Sequence, residues 1–183
     1  MPFHETGIEG LILFEPKVFG DHRGYFYESY NKEVFKEGGI SCDFVQDNIS
    51  FSRRGVLRGL HYQLNPHAQA KLVRVNRGEV LDVVVDIRKS SPTFGKTYSV
   101  KLNDENKLQL FVPRGFAHGF AVLSDEAEFC YKCDNFYNKE SEAGIIYNDP
   151  ELAINWELTA QEAILSEKDT VLPTLADALN NFD

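Results

Sequence analysis

The chain has 183 residues, 43% hydrophobic and 13% aromatic, which suits one folded domain over 1–183 with a substantial core and excludes a disordered chain. A formal net charge of −9 argues against nucleic acid as a partner. No apolar run approaches the roughly 20 residues of a membrane span, and the N-terminus lacks a basic-then-apolar secretion pattern.

Fourteen Phe and eight Tyr against one Met and one Trp favour a β-rich interior. In chain order, strand-like runs occupy residues 11–14, 25–30, 44–51, 56–63, 71–76, 79–87, 96–102, 107–112, 117–123 and 126–133. Turn chemistry separates several of them: Arg77-Gly78, Ser90-Ser91-Pro92 and Asn103-Asp104-Glu105-Asn106. Short strands at this spacing predict a mainly β fold, a jelly roll or β-sandwich. Helices are few and peripheral. Residues 31–37 form one, ended by Gly38-Gly39; the capping box Thr159–Glu162 opens a second through about Ser166; residues 174–180 form a third. From Glu151 onward seven acids stand against one Lys, a tail able to lie across the sandwich and bring an acid to a basic site.

That basic site is the sharpest local signal. Between Arg53 and Arg77 stand Arg53, Arg54, Arg58, Lys71, Arg74 and Arg77, with no Asp or Glu, in a chain that holds 28 acids. A cationic field on an anionic protein points to a small anionic substrate, and His61 within it points to proton transfer. A solvated charged face is the plainer alternative. Strict alternation would send Arg58 and His61 to opposite faces; a bulge at Gly59 would turn both inward.

Cys130-Tyr131-Lys132-Cys133 has the spacing of a redox or zinc motif. On a strand, however, residues three apart point to opposite faces, and no second pair completes a zinc site. The odd count of three cysteines also argues against a disulfide framework and for a reducing cytoplasm.

Val112-Pro113-Arg114-Gly115-Phe116-Ala117-His118-Gly119-Phe120 contains a P-x-G-x-x-H pattern that resembles the second motif of the cupin superfamily, whose members are small barrels or jelly rolls. Metal-binding cupins carry H-x-H and a glutamate in the first motif. Here that region reads His61-Tyr62-Gln63, and His67 lies in a proline-containing loop, so no full metal-ligand set is expected.

Longer stretches resemble the dTDP-4-dehydrorhamnose 3,5-epimerase family. They are residues 54–63, Gln69-Ala70-Lys71-Leu72-Val73, residues 78–86, Ser91-Pro92-Thr93-Phe94-Gly95, residues 112–120, Tyr131, Tyr137, Glu142, Asn148-Asp149-Pro150, residues 165–169 and, near the N-terminus, residues 21–28. The resemblance implies a metal-free and cofactor-free cupin-like homodimer acting on a dTDP-4-keto-6-deoxy sugar. It implies His61 as proton acceptor with Asp169 as its partner, Tyr131 as proton donor, and Lys71 beside the sugar ketone. Arg23, Phe26, Glu28, Gln46, Asn48, Arg58, His118, Glu142 and Lys168 match ligand-binding positions, and Tyr137 a residue that stacks on the nucleotide. Family likeness further suggests that N-terminal strands cross the dimer.

Elementary chemistry is consistent with those roles. A ketone at C4 acidifies the hydrogens at C3 and C5, a cation near its oxygen stabilises the enolate, and inversion requires a base and an acid on two sides of the ring. Three alternatives stand beside this reading: a 3-only or 5-only epimerase; a metal-dependent cupin, which the missing H-x-H disfavours; and a non-catalytic nucleotide-sugar binder, which has no use for a base and an acid on opposed faces.

Overall fold

The computed structural model describes residues 2–183. Thirteen strands follow in chain order: β1 (Phe3–Glu5), β2 (Ile12–Phe14), β3 (Phe19–Asp21), β4 (Gly24–Phe26), β5 (Gln46–Arg53), β6 (Leu57–Gln63), β7 (Lys71–Arg77), β8 (Glu79–Asp86), β9 (Thr97–Asn103), β10 (Gln109–Val112), β11 (Phe116–Val122), β12 (Glu126–Cys133) and β13 (Glu142–Gly144). One sheet runs β1-β2-β10-β7-β12-β5 and the other β13-β6-β11-β8-β9, while β3 and β4 form a separate hairpin. This is the mainly β sandwich that the strand spacing predicts, with the cupin-like form that the resemblance implies. β1, β3 and β13 were not expected. Each has three residues, too short to display a period.

Alternation sets the layers. Val73 and Val75 of β7, Val80 and Val84 of β8, Phe116, Phe120 and Val122 of β11, and Ala127 and Phe129 of β12 meet between the two sheets. The opposite face of the five-stranded sheet is also covered: Leu57, Leu81, Val83, Val85 and Ala121 pack under Ile145, Trp156 and Phe182 of the C-terminal segment. Burial on both faces explains why β8 reads as a nearly continuous apolar run. On the six-stranded sheet, the helix α1 (Lys32–Glu37) seats Phe35 against Phe14, Leu72 and Phe111. Asn31 caps it, its side chain accepting from the Glu33 amide.

The two other expected helices do not form. The Thr159–Glu162 capping box is present, with Thr159 N and Oγ1 each 2.8 Å from Glu162 Oε2. The chain leaves after that turn because Ile164 pairs in parallel with Val56: Ile164 N donates to Gly55 O at 2.8 Å and Leu57 N to Ile164 O at 3.0 Å. A nascent two-turn helix is marginal alone, and strand pairing outcompetes it. Residues 174–180 make a single turn closed by Thr174 and Asp177, then run extended along the sheet, where the Tyr62 hydroxyl donates to Leu179 O. In their place the tail forms a short 3-10 helix, Glu167–Val171.

Between β6 and β11 the register slips by one: His118 opposes His61, but Phe120 opposes Arg58. The extra residue lies in β6, at the expected bulge. Gly59 has φ +122°, and a Cβ there would stand 2.5 Å from the Gly119 Cα; a Cβ on Gly119 would stand 2.7 Å from Arg58 O. Two side-chain-free positions back onto each other, so only glycine fits this crossing.

Candidate active site

The inward face of the sandwich changes character along its length. Towards β9 and β10 it is aliphatic and closed; towards β5 and β6 it becomes polar and opens into a cavity of about 440 Å³. Arg58, His61 and His118 line it from the five-stranded sheet, and Ser50, Lys71 and Tyr131 from the six-stranded sheet, with Phe120 and Phe129 among its apolar lining. An adjoining cavity of about 310 Å³ shares His61, Lys71 and Tyr131 and adds Gln46, Asn48, Tyr137 and Glu142. The β6 bulge puts Arg58 and His61 on the same wall, which alternation alone forbids.

Asp169 reaches His61 from the tail. Its Oδ1 lies 2.6 Å from His61 Nε2; the carboxylate is 4% exposed and the imidazole 26%. The charge is thus sealed while the ring's other edge faces the cavity. Burial alone would raise the Asp169 pKa, but the hydrogen bond and charge of His61, the Ser166 bond and Lys168 outweigh it and hold the carboxyl below its usual range. Ser166 caps the 3-10 helix, accepting from Asp169 N, and so fixes the carboxylate's approach.

Burial depresses the Lys71 pKa, only partly offset by the charges of Cys133, Asp82 and Glu142. Its Nζ stands 6.0 Å from the Tyr131 ring centroid. Burial raises the Tyr131 pKa, helped by Cys133 and opposed by Arg58, so the phenol keeps its proton at neutral pH. His118 Nε2 lies 2.8 Å from Asp82 Oδ2 in a pair sealed from solvent, and the second Asp82 oxygen has no partner among the described residues. Arg58 donates to Ser52 Oγ at 3.2 and 3.3 Å.

At the mouth, Lys168 pairs with Glu142, which also accepts from the Tyr137 hydroxyl at 3.1 Å. Burial raises the Glu142 pKa, and Lys168, Tyr137 and His61 together bring it below normal. Gln46 Oε1 accepts from Tyr137 N, and Gln46 Nε2 donates to Asn48. The Tyr137 ring is half exposed over this opening.

Twelve of the expected positions are thereby gathered: His61, Lys71, Tyr131, Asp169, Gln46, Asn48, Arg58, His118, Tyr137, Glu142, Lys168 and the Gly59 bulge. Arg23, Phe26 and Glu28 are not. Arg23 and Phe26 sit on the exposed β3–β4 hairpin, Arg23 held by Asp21 at 2.5 Å, and Glu28 accepts from Asn31. The cationic window also divides. Only Arg58 and Lys71 face the cavity; Arg77 pairs with Glu126, Arg54 donates to Leu123 O, Arg53 is exposed, and Arg74 meets the Tyr27 hydroxyl on the outer face. Alternation along β7 is the reason, since Arg74 is three residues from Lys71. The same rule separates the cysteines: Cys130 lies in the outer groove beside Arg74, Cys133 accepts from Asn48 inside, and all three are free.

Asp82, Ser50, Gln63 and Gln69 escaped the reading of the sequence. Asp82 had a visible signal, a lone acid within the apolar run Val80–Val85. Among the described residues no group of three or more His, Cys, Asp or Glu side chains is arranged to hold a metal ion.

The sequence matches the family described as dTDP-4-dehydrorhamnose 3,5-epimerase over residues 5–177. It is 60% identical to the dTDP-4-dehydrorhamnose 3,5-epimerase of Shigella flexneri over 90% of this chain and 91% of that one. The fold superposes on a dTDP-4-dehydrorhamnose 3,5-epimerase from Elizabethkingia anophelis with a TM-score of 0.92 at 56% identity, covering 96% of both chains. It also superposes on a dTDP-6-deoxy-D-glucose-3,5-epimerase from Legionella pneumophila in complex with dTDP-4-keto-L-rhamnose, at TM-score 0.91 and 52% identity, over 96% of this chain and 93% of that one.

Proposed function

The chain belongs to the dTDP-4-dehydrorhamnose 3,5-epimerase family, and from that premise we propose how its own residues carry the reaction. It is an isomerase of dTDP-L-rhamnose biosynthesis, converting dTDP-4-dehydro-6-deoxy-D-glucose to dTDP-4-dehydro-L-rhamnose. His61, held in place by the carboxylate of Asp169, takes the proton from a carbon next to the C4 ketone. The C–H electron pair moves into an enolate whose oxygen faces Lys71. Tyr131 then delivers a proton to the opposite face of that carbon, inverting it, and solvent restores both residues. Repetition at the second carbon completes the double epimerisation. The chemistry as written calls for neither metal nor redox cofactor.

One observation supports this reading above the others: a His–Asp pair with a buried carboxylate and a protonated phenol stand on opposite walls of one cavity, with a lysine beside the phenol. A plain binder has no use for a base and an acid so opposed. Arg58 and Lys168 suit the diphosphate, since a guanidinium forks onto phosphate oxygens. His118, Gln46, Asn48, Glu142 and Tyr137 hold the rest of the nucleotide sugar.

We further propose a homodimer of one-domain subunits, working in the cytoplasm. Exposed Val45, Ile49 and Phe51 on one edge of the sandwich and exposed Phe19 and Phe26 on the hairpin form apolar surface that a second copy would cover. Arg23, Phe26 and Glu28 would then serve the partner's cavity. Three free cysteines suit a reducing compartment. The decisive measurement is incubation with dTDP-4-dehydro-6-deoxyglucose in deuterated water, following C3 and C5 by NMR. Incorporation with inversion at both carbons is expected. Incorporation at neither sinks the proposal.

A further inference from the structure

The segment from Asp134 to Asn138 carries Tyr137 over the cavity, yet it belongs to neither sheet, and its backbone must find partners elsewhere. Three glutamines from three places supply them. Gln63, at the end of β6, donates to Phe136 O at 3.4 Å and to His67 O at 2.8 Å, and its Oε1 accepts from Asn138 N at 2.7 Å. Gln69 donates to Asn135 O at 2.7 Å. Gln46 accepts from Tyr137 N at 3.2 Å. Gln63 is 6% exposed, and both hydrogens of its amide are committed to backbone carbonyls. Its amide therefore has no donor left for a ligand, although its side chain borders the cavity.

We infer that Gln63 and Gln69 are positioning residues for nucleotide recognition: they replace the missing sheet ladder and hold Tyr137 as a rigid stacking platform. This rests on the reading of Tyr137 as the group that stacks on the base. A platform already ordered before binding loses little conformational freedom when the base arrives, so the glutamines act on affinity and not on proton transfer. The ligand class is an aromatic nucleobase carried on a diphosphate. Gln63 is two residues from His61 on the same strand, which ties the recognition loop to the catalytic wall by one short, stiff element. Leucine at position 63 keeps the volume but leaves Phe136 O and Asn138 N without partners.

The test measures dTDP affinity by calorimetry for wild type, Gln63→Leu, Tyr137→Ala and the double variant, with thermal melts to verify folding. Gln63→Leu is expected to weaken dTDP roughly tenfold and to raise KM similarly, with kcat within about threefold of wild type. The double variant should bind dTDP no worse than Tyr137→Ala alone, because the loop's order matters only through the ring it carries. A general loss of stability would add to the Tyr137 effect and lower kcat as well. If Gln63→Leu does not fold, Gln69→Leu carries the test, with a smaller loss of about threefold and the same coupling. Weak binding by Tyr137→Ala beside wild-type binding by the glutamine variants overturns the inference alone. Wild-type binding by Tyr137→Ala removes the stacking reading and the inference together.

Discussion

His61 and His118 are direct cross-strand partners on β6 and β11, and each turns Nε2 onto a carboxylate from elsewhere in the fold. Asp169 comes from the tail at 2.6 Å and Asp82 from β8 at 2.8 Å. The pairs differ in access. His118 is sealed at the back of the cavity, while a quarter of the His61 side chain is exposed. That difference suits His61 for exchanging protons with substrate and solvent, and His118 for holding a fixed hydrogen bond.

Replacing His61 with Ala should abolish both turnover and deuterium exchange while dTDP binding stays within a few-fold of wild type. Asp169→Asn leaves the imidazole but removes the charge that orients it, and a loss of kcat of about a hundredfold or more is expected. Stopped assays at saturating substrate read both. Near-wild-type exchange in the His61 variant would remove it from the mechanism.

Tyr131→Phe should separate the two halves of the reaction. Abstraction by His61 persists, so deuterium still enters by return to the original face, while net inversion falls steeply. Comparing exchange with epimer formation in one sample is the measurement; an unchanged ratio assigns the second proton to water or another residue.

The alkaline limb of kcat/KM should belong to Lys71. Burial lowers its pKa, so it sheds its charge before an ordinary lysine near 10.5, and activity falls as pH rises through that depressed value. Tyr131 is shifted the other way and stays protonated through the same window. Lys71→Met should lose activity and the limb together, whereas the residual exchange of Tyr131→Phe should retain the limb. Its persistence in Lys71→Met transfers the titration to another group.

Asp86 anchors the turn after β8. Its carboxylate accepts from Arg88 at 2.7 and 2.9 Å, from Ser91 at 2.6 Å and from Thr93 at 2.7 Å. Burial opposes ionisation, but these bonds win and bring the pKa from 3.8 to about 2. A depressed carboxylate gives stability present above pH 3.8 and lost as pH falls towards 2, worth about 2 kcal/mol at neutral pH. Asp86→Asn should lower stability by that order and flatten the acid limb of a denaturation series. An unaltered limb would place the acid sensitivity elsewhere.

Mixed dimers test the proposed exchange of hairpins. Arg23→Ala and His61→Ala are each expected to be nearly inactive alone. If Arg23 serves the partner's cavity, subunits mixed after denaturation should regain about a quarter of wild-type activity, because random mixing leaves one intact site in half of the dimers. No recovery places Arg23 and His61 in one subunit's site.

The sequence by itself determined most of the strands, because alternation and turn residues are local: β12 falls on the very residues the pattern marks, and α1 ends at the glycines expected of it. It also singled out His61, Lys71, Tyr131 and Asp169 by their resemblance to one family, and the fold brings all four to one cavity. Only the tertiary structure decided which side chains meet. Asp169 lies 108 residues from His61, and no local rule joins them. Arg74 and Arg77 belong to the same basic window as Lys71, yet pleating turns Arg74 to the sheet's other face, and Arg77, at the far end of β7, pairs with Glu126. The Thr159 capping box is a sound helix signal that loses to the pairing of Ile164 with Val56, a non-local contact that outweighs a helix too short to propagate. Asp82 and Gln63 acquire their partners only when β8 is laid beside β11, and when the Tyr137 loop folds over the end of β6.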